Sequence, residues 1–402
     1  MSGVDPKVQI NAFMSLPLTG GGPSYTFEKV LTEMRDEQTS VHLFSPADRR
    51  AVDNATVKIS AVVPRSARKL PFRMASPIAA PMAERNFVAA FKGKERAAAY
   101  LWGDVTPALA EKLKDRGIPV FREKYNCSKK VSRRILSEAY AKLNAAAEFP
   151  ASYYTDAVID DEQRILEAAD AVFSPSPMVR ASLEEVGIPG SKILDASYGF
   201  EPARLETDSR AIEAYDDPIF LFAGSVCVRK GAHILLEAWN KAKVRGRLIL
   251  VGKLEGLIEE RYADILAQDN VEYHSFAANI GSYFRSADYF IFPTLEEGSP
   301  LVTYEASFCH LPSIVSPMGA GAIVRDGIEG SIVDSDEVDA WVDALKYAAD
   351  EFQTGAHEGK AAAAHARSLE FTWDKVGARR RELLRNTLLG AASPLSRQRK
   401  EA

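Results

Sequence analysis

Short apolar runs alternate with helical stretches along the whole chain. Val8–Met14, Ala97–Trp102 and Arg247–Val251 are examples of the runs, and each is followed by a longer segment with apolar residues at helical spacing. This alternation is typical of parallel α/β sheets. The predicted strands are Val8–Met14, Ser40–Phe44, Ala97–Trp102, Ile118–Arg122, Ala171–Phe173, Lys192–Ala196, Ile219–Phe222, Arg247–Val251, Val271–His274, Tyr289–Phe292 and Pro312–Val315.

Helices are predicted between these strands, and a charged segment divides the chain. The helices are Ser24–Met34, Pro107–Lys114, Val131–Ala147, Asp161–Ala168, Pro177–Val186, Val338–Tyr347 and Lys375–Leu389. No element is assigned to Pro46–Arg85. Glu201–Pro218 is charged, poorly periodic and has no pattern that requires burial, so we interpret it as a linker. The predicted organisation is therefore a first α/β domain over 1–200, a linker over 201–217, a second α/β domain over 218–372 and a terminal segment over 373–402.

Composition narrows the class of protein. The 402 residues carry a formal net charge of −5, which argues against a dedicated nucleic-acid binder. Three widely spaced cysteines indicate neither a disulfide framework nor a zinc site. The N-terminus lacks a signal-peptide pattern, and no apolar run is long enough to span a bilayer. We therefore expect a cytoplasmic protein.

The segment Pro293–Leu311 carries the strongest candidate chemistry. It follows a predicted strand, passes through Gly298 and opens a helix near Leu301, an arrangement that suits anion binding by unpaired backbone N–H groups. Glu297 precedes this helix and Glu305 lies within it. Two carboxylates beside a phosphate pocket could accept hydrogen bonds from sugar hydroxyls. An acidic surface loop with one buried glutamate explains the spacing equally well.

Two further glycine turns follow predicted strands. Gly224 is followed by Ser225 and then by Arg229 and Lys230, where a cation could neutralise a diphosphate. Consecutive glycines at 20–22 would let the backbone approach a ligand. Taken separately, each is more simply an ordinary turn, and neither matches a dinucleotide or ATP-binding motif.

Together these segments resemble the retaining, two-Rossmann-domain glycosyltransferases of family 4, the GT-B architecture. Glu297–Glu305 reproduces the Glu–x7–Glu motif of that family, and Lys230 falls on the lysine of its diphosphate-binding turn. The similarity extends through Ser316–Val333 and covers the glycine loop at 20–22, but it is thin between Pro46 and Asn144.

The resemblance implies two Rossmann-like domains that face each other across a cleft, with the terminal helix packed back on the first domain. Glu297 would hold the transferred sugar, Lys230 and Arg229 would stabilise the leaving diphosphate, and Glu305 would bind the ribose. The other implied donor contacts are Gly298, Ser299, Leu301, Val302, Gly224, Ser225, Gly21 and Gly22. The donor would be a UDP- or GDP-linked sugar, with no other cofactor and no metal.

Two departures from the family pattern affect these expectations. Ser225 stands where the family often has an arginine, and Arg229 could supply the missing charge. The family also often offers a histidine from its first domain. Here His42, the single histidine of that half, lies on a predicted strand and is not assigned that role. Glu123 and Asn126, at the end of another strand, are candidate contacts for the acceptor or the sugar.

Other motifs favour structural roles. Asp334 and Asp336 match a metal-binding DxD pattern, but they precede a predicted helix and suit an N-cap. Basic clusters at Lys129–Arg134, Arg379–Arg381 and Arg397–Lys400 suit solvated surfaces, with contact to an anionic acceptor or to membrane headgroups as the alternative.

The predicted function is transfer of a sugar from a nucleotide donor to a sugar, lipid-linked or small-molecule acceptor. One rival is a nucleotide-sugar epimerase, which would need no acceptor site. The other is a non-catalytic partner subunit that keeps the fold, and Ser225 gives it some weight.

Overall fold

A computed structural model describes residues 7–51, 56–69, 71–93 and 96–390. The predicted basic tail at Arg397–Lys400 lies outside the described residues. Two parallel sheets organise the chain, and helices cover their faces. The predicted fold class, two Rossmann-like α/β units, is confirmed.

The first sheet has seven parallel strands in the order β3-β2-β1-β4-β5-β6-β7. The strand order reverses between β1 and β4, so loops after these two strands flank a crevice at the carboxyl edge. The strands are β1 Val8–Met14, β2 Thr39–Ala47, β3 Lys58–Val63, β4 Ala97–Trp102, β5 Val120–Glu123, β6 Ala171–Ser174 and β7 Ile193–Asp195. The associated helices are α1 Gly22–Glu33, α2 Phe72–Ala89, α3 Pro107–Asp115, α4 Lys129–Lys142, α5 Asp156–Ala168 and α6 Pro177–Glu185.

The second sheet has six parallel strands in the order β10-β9-β8-β11-β12-β13, which reverses between β8 and β11. Its strands are β8 Ile219–Ala223, β9 Arg247–Val251, β10 Val271–His274, β11 Tyr289–Phe292, β12 Ser313–Val315 and β13 Gly330–Ile332. Its helices are α7 Ala232–Ala242, α8 Gly256–Arg261, α9 Ala263–Leu266, α10 Ile280–Phe284, α11 Leu301–Phe308, α12 Val338–Thr354 and α13 His357–Ser368, and they are followed by α14 Trp373–Leu388.

The last helix, α14, returns to the first sheet and packs against α1. Gly377 makes the close approach feasible, because a Cβ at this position would lie 2.2 Å from the Cβ of Glu33. Arg380 of α14 is wholly buried and forms an ion pair with Glu123 at the end of β5. A single interface thus combines tight helix packing with a buried charge pair.

Several elements differ from the sequence expectations. The unassigned region contains β3 and α2, and α2 continues through Pro77 and Pro81, which ordinarily interrupt helices. The premise that the linker requires no burial is wrong, because Leu205 and Ile212 are both buried against the second domain. Strand β13 and helix α13 were also not predicted.

Candidate functional site

Two loops meet at the point where the second sheet reverses its strand order. One follows β8 and contains a short 3-10 turn, Val228–Lys230, and the other follows β11 and contains Glu297. The backbone N–H of Leu295 donates to the carbonyl of Arg229 at 3.0 Å, which joins the two loops directly. Residues 67 positions apart in sequence thereby form one surface at the carboxyl edge of the sheet, where ligands of open α/β sheets bind.

Gly231 makes this junction feasible. Its φ is +71°, in the left-handed region, and an added Cβ would lie 2.0 Å from the carbonyl oxygen of Pro293. Any side chain would therefore push the turn away from the loop after β11. The glycine next to Lys230 is thus required by backbone contact as well as by backbone conformation.

Four charged side chains form a compact cluster at this junction. The ammonium of Lys230 contacts the carboxylate of Glu297 directly. Arg229 lies 3.4 Å from Glu296 and 3.6 Å from Glu297. Glu296 is buried and also accepts a hydrogen bond from Ser132 of α4 at 3.0 Å. The positive and negative charges of the cluster therefore balance in the absence of a ligand.

The environment of Lys230 is unusual for a lysine. Burial lowers the pKa of its ammonium to about 7, the charge of Arg229 acts in the same direction, and Glu296 opposes both. The direct contact with the Glu297 carboxylate also favours the charged form. The side chain is thus a desolvated cation whose charge depends on a neighbouring anion.

Glu305 differs from the other acids of the site because its charge is unbalanced. It lies in α11, only 9% of the residue is exposed, and burial raises the pKa of its carboxyl, with Arg204 weakly opposing the rise. Within the part of the chain that the structure describes, no hydrogen bond or ion pair reaches this carboxylate. Such a group is costly to bury and is ready to accept hydrogen bonds from a ligand.

The start of α11 supplies backbone donors near these acids. Leu301 and Val302 are its first two residues, and N–H groups in the first turn have no acceptor within the helix. Gly224 and Ser225 follow β8 on the neighbouring strand, and Ser225 is exposed. These four residues, which the sequence predicts to contact the sugar donor, therefore lie at the same edge of the second sheet.

Two of the residues predicted to contact the sugar donor are instead in contact with other parts of the protein. The hydroxyl of Ser299 is buried and shares a hydrogen bond with the hydroxyl of Tyr304 at 2.6 Å, so a contact of Ser299 with the sugar donor would be made by its backbone. Gly298 is buried against the backbone of Tyr125, and its carbonyl accepts a hydrogen bond from Ser176 at 2.5 Å. This glycine joins the two domains.

The prediction that Glu123 faces the cleft is wrong. Its side chain is 0% exposed and accepts hydrogen bonds from Tyr198 at 2.7 Å and from Arg380 at 2.6 Å, with Tyr100 in close contact. Burial raises the pKa of both tyrosines well above the usual range, so they remain protonated donors. Glu123 anchors α14. Asn126, in contrast, is half-buried beside Gly298, where it remains a candidate contact.

On the first domain, the glycine loop after β1 is exposed, and hydrogen bonds to a serine of α1 fix its backbone. The hydroxyl of Ser24 accepts hydrogen bonds from the N–H groups of Thr19 and Gly20, at 2.9 and 3.0 Å. Gly21 and Gly22 themselves are exposed, with no atom near the position of an added Cβ. The loop is therefore fixed in shape and open on its outer side.

The capping role predicted for Asp334 and Asp336 is also corrected. Helix α12 begins after Glu337 without a side-chain cap, and Asp336 instead forms an ion pair with Lys142 of the first domain at 2.8 Å. No cluster of three or more histidine, cysteine or acidic side chains suited to a metal occurs among the described residues. His42 lies on β2, where its ring bonds Ser60 at 2.9 Å.

Sequence reasoning missed the contacts that join the two domains at this site. Ser132 bonds Glu296, Ser176 bonds Gly298, and the thiol of Cys127 lies 3.6 Å from the carbonyl of Glu297. The sequence offered one signal for the charged cluster, the acidic doublet Glu296–Glu297, which could pair with the basic doublet Arg229–Lys230 of the other loop.

Comparison with solved structures places this fold in one class. The structure is similar over 96% of its length to sucrose-phosphate synthase from Thermosynechococcus elongatus, covering 100% of that chain with a TM-score of 0.70 and 18% identity. It is also similar to HepE of Anabaena in complex with UDP and glucose, with a TM-score of 0.63 and 16% identity, over 94% of this chain and 99% of that one. These likenesses establish the two-domain glycosyltransferase fold.

The sequence comparisons find relatives of the second domain. Residues 217–351 match the family model of glycosyl transferases group 1. A D-inositol 3-phosphate glycosyltransferase of Paenarthrobacter aurescens is 28% identical over 255 residues, which cover 58% of this chain and 62% of the relative. One from Xylanimonas cellulosilytica is 31% identical over 173 residues, covering 40% and 41%.

The chain thus spans less than two thirds of the length of these curated relatives. The predicted resemblance to two-domain glycosyltransferases is confirmed. Among the helices that the structure describes, none has the length and apolar character needed to cross a membrane.

Proposed function

We propose that this protein is a retaining glycosyltransferase that uses a UDP- or GDP-linked sugar. The observation that carries the proposal is the buried carboxylate of Glu305, to which no described group donates a hydrogen bond, on the same sheet edge as the buried cation Lys230. A nucleotide sugar needs both, because its ribose offers hydroxyl donors and its diphosphate carries negative charge.

Each site residue then has a distinct role. Glu305 accepts hydrogen bonds from the ribose, and the N–H groups of Leu301 and Val302 meet the phosphates at the helix start. Lys230 exchanges its contact with Glu297 for the diphosphate, which releases Glu297 to hold the sugar hydroxyls. The diphosphate then takes over the stabilisation of the ammonium that Glu297 provides in the free protein.

Arg229 is a positioning residue in this account. Its guanidinium donates to the carbonyl of Glu296 at 3.1 Å and thereby holds the loop that carries Glu297. Ser225 leaves the space after Gly224 open and uncharged. Lys230 is then the cation that meets the leaving diphosphate.

Transfer proceeds with retention of anomeric configuration in this proposal. The bond between the anomeric carbon and the phosphate oxygen breaks, and a bond to the acceptor oxygen forms on the same face. The acceptor proton passes to the departing phosphate. Cleft closure excludes water and so protects the activated sugar from hydrolysis.

The acceptor binds on the first domain, near Asn126 and the exposed loop at Gly21–Gly22. Relatives named as D-inositol 3-phosphate glycosyltransferases make a phosphorylated polyol a sensible first probe, alongside sugars and lipid-linked acceptors. No metal is required in this proposal, since Lys230 and the helix start supply the positive charge.

Turnover with a panel of UDP-, GDP- and ADP-sugars tests the proposal. Nucleotide release that requires an acceptor supports transfer, with the anomer of the product read by NMR. Sugar isomerisation without an acceptor would support the epimerase, and binding without turnover would support a partner subunit. Lys230→Met should abolish turnover, whereas Lys346→Met on the second domain, outside this site, should leave it unchanged.

Chelation tests the absence of a metal requirement separately. Turnover in excess EDTA should equal turnover in added magnesium. Loss of activity in EDTA, restored by magnesium, would contradict the assignment of charge neutralisation to Lys230.

A further inference from the structure

The outward face of helix α2 is apolar. Met74, Ile78 and Met82 are 75%, 68% and 45% exposed, and they recur every four residues along one stripe. Pro77 and Pro81 are exposed on the same stripe. Single exposed apolar residues are common, but a continuous apolar stripe across more than two helical turns marks an interaction surface.

The inner face of the same helix is already packed. Ala79, Ala83 and Phe87 are buried, and the ring of Phe87 contacts Phe13 and Phe44 of the first sheet. The helix therefore already has a buried face, and its outward apolar residues are additional to the core. Among the residues that the structure describes, none covers the stripe.

The chain around this stripe is strongly basic. Between Thr56 and Ala83 the sequence contains no aspartate or glutamate, although the whole chain has a net charge of −5. The same segment carries five cations: Lys58, Arg65, Arg68, Lys69 and Arg73. Lys69 and Arg73 are exposed next to the start of the stripe. An apolar stripe beside cations complements a surface that combines acyl chains with anionic headgroups.

The prolines limit how deeply such a helix could insert. Pro77 and Pro81 have no N–H, so the carbonyls of Arg73 and Pro77 lose their helical donors. Unpaired carbonyls are costly in hydrocarbon but are satisfied by water at the headgroup level. Methionine side chains are flexible and adapt to an irregular boundary. These features favour a shallow position at the interface.

The other described basic clusters are less suited to lipid. Arg133 and Arg134 on α4 form ion pairs with Asp156 and Glu185, at 2.6 and 3.1 Å. Arg380 is buried with Glu123, and Arg381 bonds Asp36 at 3.0 Å. Their charges are largely matched by protein acids, whereas among the described residues no ion pair reaches Lys69 or Arg73 beside the stripe.

We propose that the outward face of α2 docks on a bilayer that contains anionic phospholipids. The stripe lies on the first domain and would place its acceptor side next to the membrane. The inference does not rest on the transferase activity, because it concerns a surface on α2 and can be measured without donor or acceptor. If both hold, a lipid-linked acceptor is the class that the arrangement serves.

Cosedimentation of the full chain with vesicles tests the proposal. Vesicles of phosphatidylcholine alone are compared with vesicles that also contain phosphatidylglycerol, at low and high salt. Binding should require the anionic lipid and weaken with salt, because exposed charges are screened. Ile78→Glu should abolish binding, and Arg73→Glu should weaken it by about fivefold or more, since each cation near an anionic surface contributes about that factor.

Phe276→Glu is the matched control. Phe276 is 78% exposed on the second domain, so this variant removes an equally exposed apolar residue from another surface and should bind as the wild type does. Thermal unfolding of each variant checks that it is folded. Absence of binding to anionic vesicles, or equal binding by Ile78→Glu, would overturn the proposal. A concentration-dependent dimer that Ile78→Glu dissociates, without vesicle binding, would show that the face joins two copies of the chain and would also overturn it.

Discussion

Replacing Glu305 with glutamine should weaken nucleotide binding and stabilise the protein at the same time. The carboxylate is buried and forms no described hydrogen bond or ion pair, so burial raises its pKa above the ordinary value although the charge of Arg204 opposes the rise. A raised pKa of an acid means that the folded protein binds the proton more tightly than the unfolded chain does. Stability therefore falls as pH rises through that range, and the neutral glutamine removes the penalty.

The loss in binding follows from the loss of charge. Hydrogen bonds to a charged acceptor contribute about 1.5–3 kcal/mol each, against about 0.5–1.5 kcal/mol for neutral ones. If two ribose hydroxyls bind Glu305, glutamine costs about 2–3 kcal/mol, or roughly a 30- to 160-fold rise in Kd. Calorimetric titration with UDP and GDP measures this change, and urea unfolding at neutral pH measures stability.

Glu351→Gln provides the opposite pattern as a control. Glu351 is similarly buried but forms an ion pair with Lys360 at 2.7 Å on the second domain. Its replacement should lower stability and leave nucleotide affinity unchanged. The reasoning is refuted if Glu305→Gln binds nucleotide as tightly as the wild type, or if it unfolds more easily.

Three further predictions, the first with a control substitution, test other parts of the account. Gly231→Ala should destabilise the protein by roughly 3 kcal/mol, at the upper end of ordinary single substitutions, because its Cβ would meet backbone. Gly187→Ala, at φ +87° in open space, should cost only about 1–2 kcal/mol by urea unfolding. Glu123→Gln breaks the buried ion pair with Arg380 and should lower the free energy of unfolding by about 3–5 kcal/mol, while the KM for the acceptor stays constant. A changed KM would indicate that Glu123 contacts the acceptor in the cleft. Burial lowers the pKa of His233 from 6.5 to about 4, so folding favours the neutral ring and the protein loses stability as pH falls from 6.5 to 4. His233→Leu should reduce this loss of stability when urea unfolding is measured across the same pH range. An unchanged pH dependence would contradict the assignment.

The strands were largely predictable from the sequence because the sheets are parallel and buried. Predicted bounds for β1, β4, β9, β10 and β11 match the structure. The central strands β4 and β11 are continuous apolar runs, as expected for strands covered on both faces. Strand β13 has three residues and begins with a glycine, which leaves too short a run to recognise. Helix α2 was hidden by two prolines and by its exposed apolar face, which together obscure the helical period.

The candidate site was only partly predictable. Glu297 and Lys230 were identified through their motifs, but the contact between them depends on a backbone approach at Gly231 that no local pattern reveals. The error at Glu123 has a similar cause. Its partner Arg380 lies 257 residues away, so nothing near Glu123 in the sequence indicates that its carboxylate is neutralised inside the protein.

A crystal structure of the protein soaked with UDP or a UDP-sugar tests the central claim most directly. We predict that the diphosphate replaces Glu297 as the partner of Lys230 and lies against the N–H groups of Leu301 and Val302. The ribose hydroxyls should donate to Glu305. A nucleotide bound elsewhere, with the contact between Lys230 and Glu297 intact and no ligand at Glu305, would contradict the account.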